Sequence, residues 1–378
     1  MKTIIFIISL YSLTITNTCF SQIKLYDFTL EGSINLDTGI VTLELVGDTS
    51  YYPIKLRQLS SRIVKGKFNF KGKINQPTAF EISVDNRQIL TKLFIIDIDE
   101  QNIEIDINQN KTTPKVSNII MENDYPKYLI AFENVRLKNK ILDAKWDSLS
   151  KAYSNKIPPN IKSGLDKELK QSYREFDSTL LGYVKENSNS YYALWTFIRL
   201  IQFGYDEKFN AIYLAFSDSL KATFVGKQLK SYLAQSNYEA LNIQLKNFKP
   251  LNATYYEKTA INYAANKFTL LDFWYSNCSP CIAQFKHLSL IYQNYKPLGF
   301  EIVGISTDKL KNKQSWLNMI AKQNLKWPQF LDDSGVESAK LGIRAFPSNI
   351  LLDKQGKVVA VNLLPSELDE FLEKYIKN

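Results

Sequence analysis

The sequence predicts a multidomain α/β protein: an antiparallel β domain, then a helical region, then an α/β layered domain at the C-terminus. Three observations predict it. Apolar residues recur at every second position across residues 22–115, and at every third and fourth across 116–247. From 248 to 378, strand-length and helix-length runs alternate. A chain of 378 residues is long enough for two or three such units.

Residues 1–21 precede these units and read as a secretory signal. Lys2 supplies the positive start, and Ile4 to Leu13 form an apolar run too short to cross a bilayer. Cys19 and Ser21 put small residues three and one before Gln22. The alternatives are an uncleaved anchor or a buried first strand. Cys19 could instead carry a lipid, but Thr16-Asn17-Thr18 fits lipoprotein processing poorly. The expectation is export to the periplasm or cell envelope without lipid anchoring at Cys19.

In the β domain, Val41, Leu43 and Leu45 alternate with Thr42 and Glu44, and Ile103, Ile105 and Ile107 alternate with Glu104 and Asp106. Phe68 and Phe70 flank Asn69, and Gly39, Gly47, Gly66 and Gly72 punctuate the runs. Leu93 to Ile98 is continuously apolar, which suggests a central strand. In the helical region, Tyr125, Tyr128, Leu129, Phe132 and Val135 share a face. So do Leu142, Trp146, Leu149 and Tyr153, then Leu165, Leu169, Tyr173, Phe176 and Leu180. Pro158-Pro159 and Asn187 to Ser190 break the helices. In the C-terminal domain, Phe268 to Trp274 and Phe300 to Ser306 read as strands. Cys281, Phe285, Leu288, Tyr292 and Tyr295 mark one helix, and Trp316, Met319 and Ile320 a second. A hairpin joins Asn349–Asp353 to Lys357–Val361, and Ser366 is expected to cap a last helix.

Lys and Arg number 47 against 38 Asp and Glu, giving +9. The basic residues are scattered rather than clustered, which is the pattern of a solvated surface, and no nucleic-acid partner is expected.

The chemistry concentrates in Cys278-Ser279-Pro280-Cys281. With Cys19 in the signal, these are the two cysteines an exported chain would keep. The motif falls where a buried strand meets a helix. Free backbone N–H groups and the helix dipole there favour a thiolate at Cys278. Pro280 suits the first helical turn, where its missing N–H costs nothing. In such a site Cys278 attacks a partner's disulfide and Cys281 resolves the mixed disulfide. Two other readings remain open. Zinc needs four ligands, and the chain adds only His287; a structural disulfide closing so short a loop would restrain little.

Leu270-Leu271-Asp272-Phe273-Trp274 followed by Cys278-Ser279-Pro280-Cys281 resembles the active-site segment of thioredoxin-fold proteins. Ile343 to Ser348, followed by Asn349–Asp353 and Gly356-Lys357, resembles their cis-proline strand and hairpin. The insertion from Lys309 to Phe330, with Trp316 and Trp327, is most similar to the TlpA/ResA-like branch, exported thiol–disulfide oxidoreductases. The resemblance covers residues 266–378. Residues 25–110 are more loosely similar to a β-rich domain of unknown function that precedes such thioredoxins. The resemblance implies a thioredoxin-like fold with a central mixed sheet. It implies catalytic roles for Cys278, Cys281 and Asp272, the last a buried proton acceptor behind Cys281. Pro347 would be the cis-proline, and Phe346, Pro347, Trp274 and Pro280 would meet substrate. No cofactor or metal is implied. The expected partners are disulfide-containing envelope proteins and an upstream thiol protein that donates electrons.

The chain departs from that pattern at Asn277, where a Trp is common, at Gln284, where a Glu is frequent, and at Lys286, which replaces a kinking Pro. The strand pair before the domain looks shortened at 252–266. His287 is a lone histidine on a helix, and Asp272 could simply be hydrogen-bonded within the sheet. The alternative to an enzyme is an envelope binding protein with a thioredoxin-like scaffold and an idle cysteine pair.

Overall fold

The computed structural model describes residues 23–376 apart from 54–58, 86–88, 109–112, 155–156, 204–205, 207, 237–241, 243–244, 246–247, 249, 253–260 and 344. The signal expected at 1–21 lies outside the described residues, as does most of the shortened strand pair at 252–266.

Period two becomes strand because alternate side chains leave opposite faces of a pleat. Nine strands form the first sheet: β1 (Tyr26–Ile34), β2 (Thr38–Leu45), β3 (Leu59–Val64), β4 (Lys67–Ile74), β5 (Thr78–Val84), β6 (Ile89–Leu90), β7 (Phe94–Ile96), β8 (Asp99–Ile105) and β9 (Lys115–Val116). Their order is β6-β5-β2-β3-β4-β1-β8-β9, and β7 pairs with β5 off this path. Phe68, Phe70 and Ile74 of β4 and Ile103 and Ile105 of β8 point into the core. The pairings are antiparallel except β1 with β8, which is parallel. The central position expected for Leu93–Ile98 is corrected. Its residues are apolar because helices cover them, and β5 is the strand buried on both faces.

The helical region begins with α1 (Ile119–Ala131), α2 (Glu133–Ala152), α3 (Pro159–Glu186) and α4 (Tyr191–Leu200). Among the described residues α5 (Lys208–Ala215), α6 (Asp218–Ala222) and α7 (Phe224–Ser236) follow. The face expected to run unbroken from Tyr125 to Val135 is divided at Phe132, which closes α1 and opens α2. The other breaks fall as expected. Pro159 opens α3, Asn187 closes it, and Ser190 caps α4 by accepting the Ala193 N–H. Sheet and helices share one apolar cluster that runs from Phe28 to Leu233. A polar knot ties the helices together. The Asp124 carboxylate accepts from Tyr183 Oη at 2.6 Å, Ser190 Oγ at 2.7 Å and the Tyr192 N–H at 3.0 Å.

The second sheet has the order β10-β13-β12-β11-β14-β15. Its strands are β10 (Leu251–Asn252), β11 (Phe268–Trp274), β12 (Phe300–Ser306), β13 (Gln329–Leu331), β14 (Ser348–Asp353) and β15 (Val358–Val361). β11, β12 and β13 run parallel, while β14 is antiparallel to β11. The helices are α8 (Ser279–Tyr295), α9 (Lys313–Gln323), α10 (Val336–Lys340) and α11 (Pro365–Ile376). Leu270 and Trp274 of β11 pack with Phe285 and Leu288 of α8 and Leu368 and Leu372 of α11. Leu271 and Phe273 pack on the opposite face with Leu245, Phe248 and Leu341. This is a thioredoxin-like mixed sheet sandwiched between layers. Ser366 is not the cap of the last helix. Pro365 already opens α11, and the Glu367 carboxylate takes the Leu364 N–H at 2.9 Å.

One helix touches both regions. The later turns of α3 bury Leu180 and Val184 in the first core. Its earlier turns pair Lys167 with Glu370 at 2.7 Å and Lys170 and Arg174 with Glu367.

Candidate active site

The end of β11 and the start of α8 fix the two cysteines. The Cys278 N–H donates to the Tyr275 carbonyl at 3.0 Å, closing a turn after the strand. Cys278 is the N-cap of the 17-residue α8, with Pro280 in the first turn, and its Sγ accepts the Cys281 N–H at 3.2 Å. That donor and the dipole behind it would favour negative charge on this sulfur when the pair is reduced. Cys278 and Cys281 are joined as a disulfide with Cα atoms 5.3 Å apart. Among the described residues no group of three metal-ligating side chains occurs.

The turn is anchored from the neighbouring strand. The Ser276 N–H and Oγ both donate to Asp308 at 2.8 Å, and Ser306 Oγ donates to the same carboxylate at 2.7 Å. Sequence reasoning passed over this clamp. Its signal was a Ser-Thr-Asp run at the very end of β12.

Asp272 sits on β11 two residues before Trp274, on the face that carries α8 and α11. It is 2 % exposed, and Oδ2 has no hydrogen-bond partner. Burial pushes its carboxyl up to about 7. The bland possibility of a carboxyl satisfied within the sheet therefore fails for that oxygen.

The Phe346–Pro347 bond is cis. β14 begins at the next residue, and Ser348 lies opposite Phe273, so Pro347 arrives at the end of β11 where the cysteine turn starts. The Phe346 ring meets the Tyr275 ring edge-on at 5.4 Å. Pro280 is exposed beside the pair, and Phe346 and Pro347 are half-buried. Trp274, expected on the substrate surface, does not reach it. Its position in β11 turns it toward α8, where it is fully enclosed with its ring edge-on to Phe285 at 5.1 Å. The sulfurs are more enclosed than an attacking site suggests, with Cys278 1 % and Cys281 2 % exposed. Both belong to the apolar cluster of Trp274 and Phe285, with Phe346 and Leu363 packed against it.

Of the departures, Asn277 and Lys286 are exposed and Gln284 is half-buried. His287 is half-buried on α8, within electrostatic reach of Lys162 and Asp166 of α3. Its pKa is lowered by burial and by Lys162, against the opposing pull of Asp166. It thus feels the charges of α3 and stands about two and a half helical turns past Cys278.

Residues 238–361 match the AhpC/TSA family model. The chain is 27% identical over 153 residues to the thiol-disulfide oxidoreductase ResA of Bacillus thuringiensis, spanning 40% of this chain and 77% of that protein. The thioredoxin domain of a thiol-disulfide oxidoreductase from Bacteroides vulgatus is 30% identical, over 34% of this chain and 91% of that one, with a TM-score of 0.31. A thiol-disulfide oxidoreductase from Bacteroides fragilis is 29% identical, over 34% of this chain and 95% of that one, with a TM-score of 0.31. The residues matched by the family model include the cysteine pair, the buried carboxyl and the cis-proline. The C-terminal part of this chain thus carries an AhpC/TSA, thioredoxin-like domain that is similar to the ResA thiol-disulfide oxidoreductases.

Proposed function

We propose that this oxidoreductase is exported and reduces disulfides of envelope proteins. The observation that carries the reading is the cysteine pair closed on itself at the start of a helix, with Cys278 as the cap. An upstream thiol protein first reduces the pair, supplying two electrons. The Cys278 thiolate then attacks one sulfur of the partner's disulfide. That S–S bond breaks, a mixed disulfide forms, and the partner's other sulfur leaves as a thiolate and takes a proton from water. Cys281 gives its proton to the Asp272 carboxylate and attacks Cys278 Sγ, which frees the partner's second thiolate. The partner ends as a dithiol and this chain as the disulfide. Phe346 and the cis-Pro347 offer backbone to the partner's strand beside Pro280.

In this reading 248–378 is the redox domain, and the β-rich 22–115 and helical 116–247 are its platform. Because both cysteines are enclosed, the partner has to displace apolar side chains to reach them. The decisive experiment is disulfide reduction by the reduced full chain in vesicle-free buffer. Cys278→Ser is expected to abolish it, and Cys281→Ser to accumulate a mixed disulfide visible on a non-reducing gel. Equal inertness of wild type and Cys278→Ser would leave the scaffold reading, which the enclosure of the pair favours.

A further inference from the structure

Asp272 has an unusual neighbourhood. Across three parallel strands the register aligns Asp272 of β11 with Gly304 of β12, and Gly304 with Gln329 of β13. Residues in register on parallel strands point to the same face, so these three share the face that carries α8. Gly304 contributes no side chain. The Gln329 amide lies across it, so that a β-carbon on Gly304 would fall 2.7 Å from the amide nitrogen and closer still to the oxygen. Gln329 is buried, and neither Nε2 nor Oε1 has a hydrogen-bond partner; nor does Asp272 Oδ2. An unpaired buried amide is costly, because it has given up its hydrogen bonds to water without replacing them. Here it lies over Gly304, on the strand next to Asp272, whose Oδ2 is also without a partner.

The register neighbour on the other side cannot serve. Asn349 faces Asp272 from β14, but its amide is committed to the 363 loop, donating to the Leu363 carbonyl at 2.8 Å and accepting its N–H at 2.9 Å. The titratable groups turned to this face from α8 are Cys278, Cys281, Tyr292 and Tyr295, the two tyrosines lying roughly three to four turns past Cys281, and α11 contributes Leu368 and Leu372. Asp308 and Asp332, at the ends of β12 and β13, are held by Ser276 and Ser306 and by the N–H groups of Glu337 and Ser338.

We propose that Gln329 is a positioning residue for Asp272: its amide reaches over Gly304 to donate a hydrogen bond to the carboxylate while Cys281 resolves the mixed disulfide. Cα atoms two parallel strands apart are separated by about 10 Å. A glutamine covers roughly half of that, and no side chain stands in the way. The donor matters only once the carboxyl is charged, so it lowers the cost of taking the proton from Cys281. This inference rests on the role proposed for Asp272.

The test mixes reduced full-length protein with an aromatic disulfide whose thiolate is coloured. The first release reports attack by Cys278 and the second reports resolution. Wild type should show a second release that rises with pH through the Asp272 ionisation. Gln329→Met, which keeps the volume and removes the amide, should move that midpoint up by roughly one pH unit and leave the first release unchanged. Gly304→Ala displaces only the far end of a flexible side chain and should move it the same way, so a folding failure in one variant leaves the other as the test. In Asp272→Asn the midpoint should vanish, and adding Gln329→Met to it should change nothing further. An unmoved midpoint in Gln329→Met or Gly304→Ala, with Asp272→Asn still slow, overturns the role of Gln329 alone. A normal second release in Asp272→Asn overturns both roles, while the two cysteine variants still govern the two releases.

Discussion

Two aspartates show how differently the two regions are built. Asp124, among the helices, is surrounded by donors: Tyr183, Ser190 and the Tyr192 backbone all give it hydrogen bonds. Asp272, in the second sheet, is more deeply buried and retains an oxygen with no partner. The same contrast runs through the regions. Most buried side-chain polar atoms without a partner, among the described residues, belong to the second, including Thr269, Asp272, Trp274, Gln329 and Ser338. A satisfied polar group holds structure in place, whereas an unsatisfied one stores free energy that a charge change can release. Among the described residues, the second region thus holds more of the unpartnered buried polar atoms than the first.

The largest way to break this comparison is Cys278→Ser, which should take disulfide reduction to background, while Asp124→Ala leaves the rate of the folded fraction unchanged in the same assay. Next is Asp272→Asn. In the folded chain the carboxyl stays protonated up to about 7, whereas in the unfolded chain it ionises near 4. The folded state thus binds the extra proton between those values, and stability falls as pH rises through that window. Asparagine escapes the loss. The variant should be more stable than wild type at pH 8, by at most about 4 kcal/mol. It should match wild type near pH 3, as read by denaturant unfolding of the oxidised protein.

Asp124→Ala should act with the opposite sign, costing about 3 kcal/mol because three donors lose their acceptor. Denaturant unfolding followed by tyrosine fluorescence measures it, and a loss below about 0.5 kcal/mol would remove Asp124 from the comparison. The smallest effect lies where the regions meet. Lys170→Ala removes a half-buried ion pair to Glu367 and should cost about 1 kcal/mol or less, diminishing in high salt.

Much of the second region was legible because its signals are local. Phe268–Trp274 and Phe300–Ser306 have the composition and length of buried strands and are found as β11 and β12. The cysteine spacing and Pro280 announced a helix start, and α8 begins there. Signals that depend on what packs above them misled. Leu93–Ile98 looked central and proved a short branch under helices, and Trp274 looked like site surface and proved core. The anchoring of Ser276 by Asp308 joins residues 32 positions apart, and no periodicity carries that information.

By itself the sequence determined the order of elements and the presence of one cysteine pair spaced to close on itself, since hydrophobic period and motif spacing are properties of neighbours along the chain. Only the tertiary structure decided the surroundings of that chemistry. Strand register set Gly304 and Gln329 beside Asp272, and layer packing enclosed both sulfurs. The physical reason is that register and burial depend on contacts between distant segments, and those set the surroundings that hold the Asp272 carboxyl above its ordinary range.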